Sequence, residues 1–258
     1  MSVLNAVAAN AEAIAARDPK EFMQLQKDIE VVSLDRLIAS FEVRIRRNSV
    51  ESVWQRLLEL NPFLLCMLFG QPIVILRPSA SVGGQTIGGG GTKITDFLAA
   101  NLLTRNAALV EIKRPKTPLL ASEYRGGVYP PSRDLMASVT QILDQRLKLL
   151  TNIAQTRYNS KINDLDVSAV ECVVVAGLTP DGDDLISSFE LIRRQFKDVR
   201  VITFDELLEK LKLLRELLTG ERYVSHINDE VGWDDLIQED FEDDEPDRPD
   251  DEDRDPRD

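Results

Sequence analysis

The 258-residue chain is poor in the residues that many kinds of chemistry require: two cysteines, one histidine and 6% aromatics. Cys66 and Cys172 are isolated in sequence, so one chain cannot build a disulfide framework or a thiolate metal cluster. With His226 as the sole imidazole, an HExxH zinc site and a His-rich metal cluster are excluded. No apolar run approaches the roughly 18 residues of a membrane helix. The N-terminal residues lack the basic start and unbroken apolar core of a signal peptide. These absences lead us to expect a soluble cytoplasmic protein with no membrane partner.

Charge is plentiful but unevenly placed. The chain carries 44 acidic and 31 basic side chains, for a net charge of −13. Residues 239–258 alone hold 13 acids against 3 basic residues, and Asp229, Glu230, Asp234 and Asp235 precede them. Residues 1–228 are left with 28 basic and 27 acidic side chains, close to neutral. The acidity therefore belongs to an appendage, and it does not exclude a nucleic-acid partner for the body.

Apolar spacing divides the chain into three. Residues 1–48 read as a helical extension, Ala-rich over 3–17 and restarted at Pro19, with Phe22, Leu25, Ile29, Leu34, Leu37, Ile38 and Phe41 in register. Residues 49–220 alternate helices and strands, which predicts an α/β domain with a mixed sheet flanked by helices. Ser49 is the expected N-cap of a helix reaching Leu60, which Asn61-Pro62 stops. Strands are expected at 72–77, 93–100, 107–113, 171–177 and 199–203, and helices at 134–155, 183–197 and 204–219. The 134–155 helix should bury Leu135, Val139, Ile142, Leu143, Leu147 and Leu150. An exposed loop is expected over 114–133. Residues 221–258 form an acidic tail whose composition predicts disorder from 239 onward.

Two neighbouring strands carry the charged residues of interest. Glu111 and Lys113 lie two apart and share a face, while Ile112 points into the core. A hairpin turn at 101–106 would set Asp96 beside Glu111. Two adjacent carboxylates repel unless a cation shares them, and their oxygens suit Mg²⁺ or Mn²⁺. An ordinary cross-strand charge pattern at a sheet margin fits the same spacing, although Asp96 inside an apolar strand needs a partner. Glu51 suits the first turn of its helix on dipole grounds and is also a candidate third acidic ligand. Gln141 fits either a helix surface or a site. The run 83–93 is no phosphate loop, because Gly91-Thr92-Lys93 leads into a strand. Arg114, Lys116, Arg125 and Arg133 form a local basic patch that serves either phosphate contact or simple exposure.

Read in order, ESVWQRLLELNPFLL (51–65), TKITDFLAA (92–100), LVEIKRPKTPLL (109–120) and VTQILDQR (139–146) resemble the nuclease domain of the Shedu family of bacterial anti-phage defence proteins. That family is a branch of the PD-(D/E)xK superfamily, and the resemblance spans roughly residues 45–220. It implies a restriction-endonuclease-like core that hydrolyses DNA phosphodiesters with Mg²⁺ or Mn²⁺. The implied metal ligands are Asp96, Glu111 and the Ile112 carbonyl, with Glu51 in support. Lys113 would orient the attacking water, and Gln141 would steady that lysine or the water. Thr95 stands where the superfamily has proline before the aspartate. A homo-oligomer, dimer or tetramer, is also implied, with the N-terminal helices as the candidate contact. Two other classes fit the sequence. One is a catalytically silent nucleic-acid-binding module on the same fold; the other is an assembly protein whose acidic tail contacts the body or a partner.

Overall fold

The computed structural model describes residues 19–83, 93–160, 162 and 164–224. The Ala-rich segment, most of the glycine run and the acidic tail lie outside the described residues. Helix α1 (Pro19–Arg47) is followed by α2 (Glu51–Leu60), α3 (Phe63–Phe69), β1 (Ile73–Gly83), β2 (Lys93–Asn101) and β3 (Asn106–Ile112). Then come α4 (Arg133–Thr151), α5 (Ile153–Ser160), β4 (Asp166–Val175), α6 (Asp183–Arg193), β5 (Arg200–Ile202) and α7 (Phe204–Thr219).

The five strands form one mixed sheet in the order β1-β2-β3-β4-β5. Antiparallel pairing joins β1 to β2 and β2 to β3, and parallel pairing joins β3 to β4 and β4 to β5. The expected hairpin is present at the β2–β3 corner. There the Asn101 side-chain carbonyl accepts from the Leu103 and Thr104 amides, and Arg105 takes a left-handed φ of 61°. Strand β1 runs past its expected end at Arg77, through a bulge between Ile75 and Arg77 and across Pro78. It lies at the sheet edge, where a proline leaves no ladder bond unmade.

Period-two alternation sends side chains to two separate cores. On one face Phe97, Ala99, Val110, Ile112, Val173 and Val175 pack against α1, α2, α3 and α7. On the other, Leu98, Ala100, Leu109, Cys172 and Val174 pack against α4 and α6. Trp54 of α2 centres the first core: its ring lies 4.7 Å from Phe41 and 4.4 Å from Phe204. Helix α1 joins this core only through its second half, from Leu34, and is tied to α7 by Arg215–Asp35 (3.0 Å) and Lys212–Glu42 (3.1 Å).

Four local expectations are revised. Helix α2 starts from Val50, whose side chain makes no cap, because the left-handed turn at Asn48 (φ 50°) moves the start one residue past Ser49. The long helix breaks at Asn152 into α4 and α5. The buried stripe of α4 is Leu135, Ser138, Val139, Ile142, Gln145 and Leu149, while Leu143, Leu147 and Leu150 are exposed. The 114–133 segment, expected as an exposed loop, contains a hairpin with bridges Leu120↔Pro131 and Arg125↔Val128. Gly126 and Gly127 turn it with positive φ of 58° and 75°.

The Trp54 indole Nε1 is buried with no hydrogen-bond partner among the described residues, so its contribution is packing alone. Trp54→Ala should lower unfolding stability by about 3–5 kcal/mol, with a clearly smaller loss for Trp54→Phe. Urea denaturation of both variants checks this; equal losses would show that the indole edge contributes more than ring packing.

Candidate active site

Asp96, Glu111 and Lys113 share one face because alternation puts them in phase with Leu98 and Leu109, over α4. Glu111 is only 3% exposed, and a buried carboxylate needs compensation. Its Oε1 accepts from Lys113 Nζ at 2.6 Å and from Gln141 Nε2 at 2.5 Å. Its Oε2 accepts from Gln145 Nε2 at 2.8 Å. Gln141 also accepts from Lys113 Nζ through Oε1 at 3.2 Å, which closes a ring of three side chains.

Asp96 sits at the end of the β2–β3 ladder, where its Oδ2 accepts from the Ile112 amide at 2.6 Å. Burial, and next the charge of Glu111, push its carboxyl up to about 7. Burial by itself would lower the Lys113 ammonium, but the Glu111 hydrogen bond and the charges of Glu111, Glu51 and Asp96 outweigh it and hold Lys113 above its usual range. Just before Asp96, fully buried Thr95 donates through Oγ1 to the Val110 carbonyl at 3.1 Å.

Helix α2 reaches the same end of the sheet. Glu51 Oε1 lies 4.0 Å from Lys113 Nζ. One turn on, Gln55 donates through Nε2 to the Asp96 carbonyl at 3.2 Å and to Ser79 Oγ at 2.6 Å. The position of Lys113 is set by the backbone: its amide donates to the Val175 carbonyl at 2.8 Å, and the Gly177 amide to the Arg114 carbonyl at 3.2 Å. A Cβ at Gly177 would stand 2.7 Å from the Thr117 carbonyl and from Leu119 Cγ.

All five expected site residues are thus brought to one end of the sheet. The basic residues are more scattered. Arg114 Nη2 donates to the Asn48 carbonyl at 2.8 Å, and Lys116 is exposed beside it, its backbone amide bound to Asn48 Oδ1 at 2.9 Å. Arg125 lies at the hairpin turn, 5.8 Å over the Tyr124 ring, and Arg133 opens α4 roughly 12 Å along the helix from Gln141. Two contributors escaped the sequence reading, Gln145 and Gln55. Their signal was spacing: Gln141/Gln145 and Glu51/Gln55 are each four apart, on one helix face.

The donor set is two hard-oxygen carboxylates, one of them paired with an ammonium. Among the described residues no three His, Cys, Asp or Glu side chains converge as a metal cluster. Two carboxylates still fit Mg²⁺ or Mn²⁺, since Mg²⁺ keeps several waters and takes one or two protein carboxylates. Burial first, and then the Glu111 charge that Lys113 only partly offsets, raise the Asp96 carboxyl.

Fold and site define an α/β domain whose mixed sheet ends in a carboxylate–lysine–glutamine cluster. The family model described as "Shedu protein SduA, C-terminal" matches residues 48–208, the span that holds the sheet and every member of that cluster. The chain belongs to that family. It is similar to the Shedu protein SduA of Bacillus cereus (strain B4264), at 39% identity over 204 residues. The match covers 76% of this chain and 54% of that protein, so the chain spans about half the length of its relative.

A carboxyl raised in the fold stabilises the protein at low pH. The Asp96 contribution is fully present below about 4, its ordinary value, and is lost as pH rises through about 7. In chelator, Asp96→Asn should be more stable than wild type at pH 8, by at most about 4 kcal/mol, with the advantage vanishing near pH 4. Paired denaturation curves at the two pH values check this. A pH-independent difference would assign the Asp96 environment wrongly.

Proposed function

We propose that this chain is a divalent-metal-dependent DNA endonuclease domain of the PD-(D/E)xK type, with a restriction-endonuclease-like core, acting in bacterial anti-phage defence. The observation that carries the reading is the Lys113 ammonium held 2.6 Å from Glu111, with Asp96 on the neighbouring strand. This is the arrangement expected for phosphodiester hydrolysis, where carboxylates hold a cation and a lysine faces the attacking water. Membership of the SduA C-terminal family supports the same reading.

Asp96, Glu111 and the Ile112 carbonyl would hold Mg²⁺ or Mn²⁺, which when bound activates water and offsets phosphoryl charge. Lys113 would orient the attacking water and stabilise the developing phosphoryl charge. Gln141 keeps Lys113 in reach through Oε1. Glu51, 46% exposed at the mouth of the site, supports Lys113 or a water. Arg114 and Lys116 beside the cluster contact backbone phosphates, with Arg125 and Arg133 on a wider path.

The exposed first half of α1 presents Met23, Leu25, Ile29 and Val32, which suits contact between copies in a homo-oligomer, dimer or tetramer. Residues 1–48, 49–220 and 221–258 then serve as assembly helix, nuclease domain and acidic tail in a cytoplasmic enzyme. The tail competes with DNA phosphates for the basic face.

In a plasmid-cleavage assay with Mn²⁺, Lys113→Ala should keep the fold and lose activity by roughly 100- to 1,000-fold. Exhaustive chelation should have the same effect as that substitution. Retained DNA binding without cleavage in the wild type would turn the reading to a silent binding module. A protein ending at residue 228 should bind DNA more tightly than the full chain at low salt, and the gap should close as salt rises. Equal binding at low salt would leave the tail no competing role.

A further inference from the structure

Three properties coincide at Ser79 of β1. The register Pro78↔Phe97 and Ala80↔Thr95 sets it opposite Asp96, on the edge strand beside β2. Its backbone is left-handed, with φ 46°, a region that costs any residue with a Cβ and that glycine enters freely. The other two non-glycine residues at positive φ among the described residues, Asn48 and Arg105, lie in connections between elements, whereas Ser79 lies within a strand. Finally, its Oγ accepts from Gln55 Nε2 at 2.6 Å, and the same amide donates to the Asp96 carbonyl at 3.2 Å. An amide N–H can only donate, so this bond fixes the Oγ and leaves the hydroxyl its own hydrogen to give. Ser79 is exposed, so a ligand can receive that hydrogen. Strain at an exposed position, with the hydroxyl held from behind, marks a contact residue rather than a packing one.

We propose that Ser79 is a substrate-contact residue, whose hydroxyl donates to a DNA phosphate beside the one held over Asp96 and Glu111. Neighbouring strands lie about 5 Å apart, so the hydroxyl stands one strand over from Asp96 and is tied to its backbone through Gln55. Hydroxyl donors on phosphate oxygens position a nucleic acid without reading its sequence. The contact is uncharged, unlike those of Arg114 and Lys116, so it sets the place of the DNA backbone without releasing a counterion. The inference rests on the DNA-cleaving reading above and adds a substrate contact to it.

The test measures binding of the full-length protein to a short labelled duplex by fluorescence anisotropy, in Mn²⁺ and across a salt series. A Lys113→Ala parent keeps the DNA uncut, and Ser79→Gly and Ser79→Ala are each added to it. Both should weaken binding about 3- to 10-fold, the loss of one hydrogen bond, by the same factor at every salt concentration. The slope of log affinity against log salt should stay that of the parent. Because glycine relieves the left-handed strain, S79G should melt close to its parent. Unchanged affinity in both variants overturns the proposal. So does weaker binding with a changed slope, which would mean that the substitutions had moved basic residues on the DNA backbone. If the wild type neither binds nor cuts duplex, the nuclease reading itself falls. If it cuts while both Ser79 variants bind like their parent, only the role of Ser79 falls. Should S79G lose its cooperative melt, S79A decides on affinity and slope alone.

Discussion

A carboxylate at the end of a central strand, almost shut off from water, is the constraint around which this domain is arranged. Glu111 has neighbours on both sides of β3, strands β2 and β4, and α4 above it. Burying its charge is tolerable only if donors meet both oxygens, and three do. Each donor fixes something larger. Lys113 must follow by two residues on the same face, and α4 must present two glutamines one turn apart at one height above the sheet. The polar stripe of α4 is therefore the counterpart of a charged strand end, and the apolar residues on either side of it grip the same sheet face farther along.

The second carboxylate is supported with less compensation. Asp96 has a backbone amide and Lys113 at a distance, but the charge of Glu111 works against it. Helix α2 closes the arrangement from another direction, Gln55 on the Asp96 carbonyl and Glu51 toward Lys113. Since Trp54 lies between them in sequence and is locked into the opposite core, the packing of that core also aims two polar side chains at the site. Core and cluster are mechanically one object at this corner.

Much of this was legible in the sequence. Alternation about Ile112 placed Glu111 and Lys113 together, and the polar turn at 101–106 placed Asp96 on the adjoining strand. The alternating elements of 49–220 gave the layered mixed sheet. Gln145 was not legible as a partner, because a stripe drawn through Leu143, Leu147 and Leu150 rotates the helix by about a third of a turn and puts it in solvent. Hydrophobicity locates a core-facing side only where the opposing surface is apolar, and here it carries a carboxylate. The full length of β1 was hidden for a related reason: Arg77, Pro78 and Ser79 break alternation, yet an edge strand tolerates a bulge, a proline and the left-handed Ser79 (φ 46°).

Gly177 contributes no polar side chain to the cluster and looks incidental. Its backbone nevertheless meets the chain just beyond Lys113, and its φ of 65° together with 2.7 Å of clearance leaves no room for a larger residue. The parallel half of the sheet thus acts as a jig for the strand that bears the lysine, machined to the width of one hydrogen atom. A sequence can vary around the carboxylates and glutamines by exchanging one donor for another. At this position it has no such freedom, so a strict tolerance falls on a residue with nothing to offer a substrate.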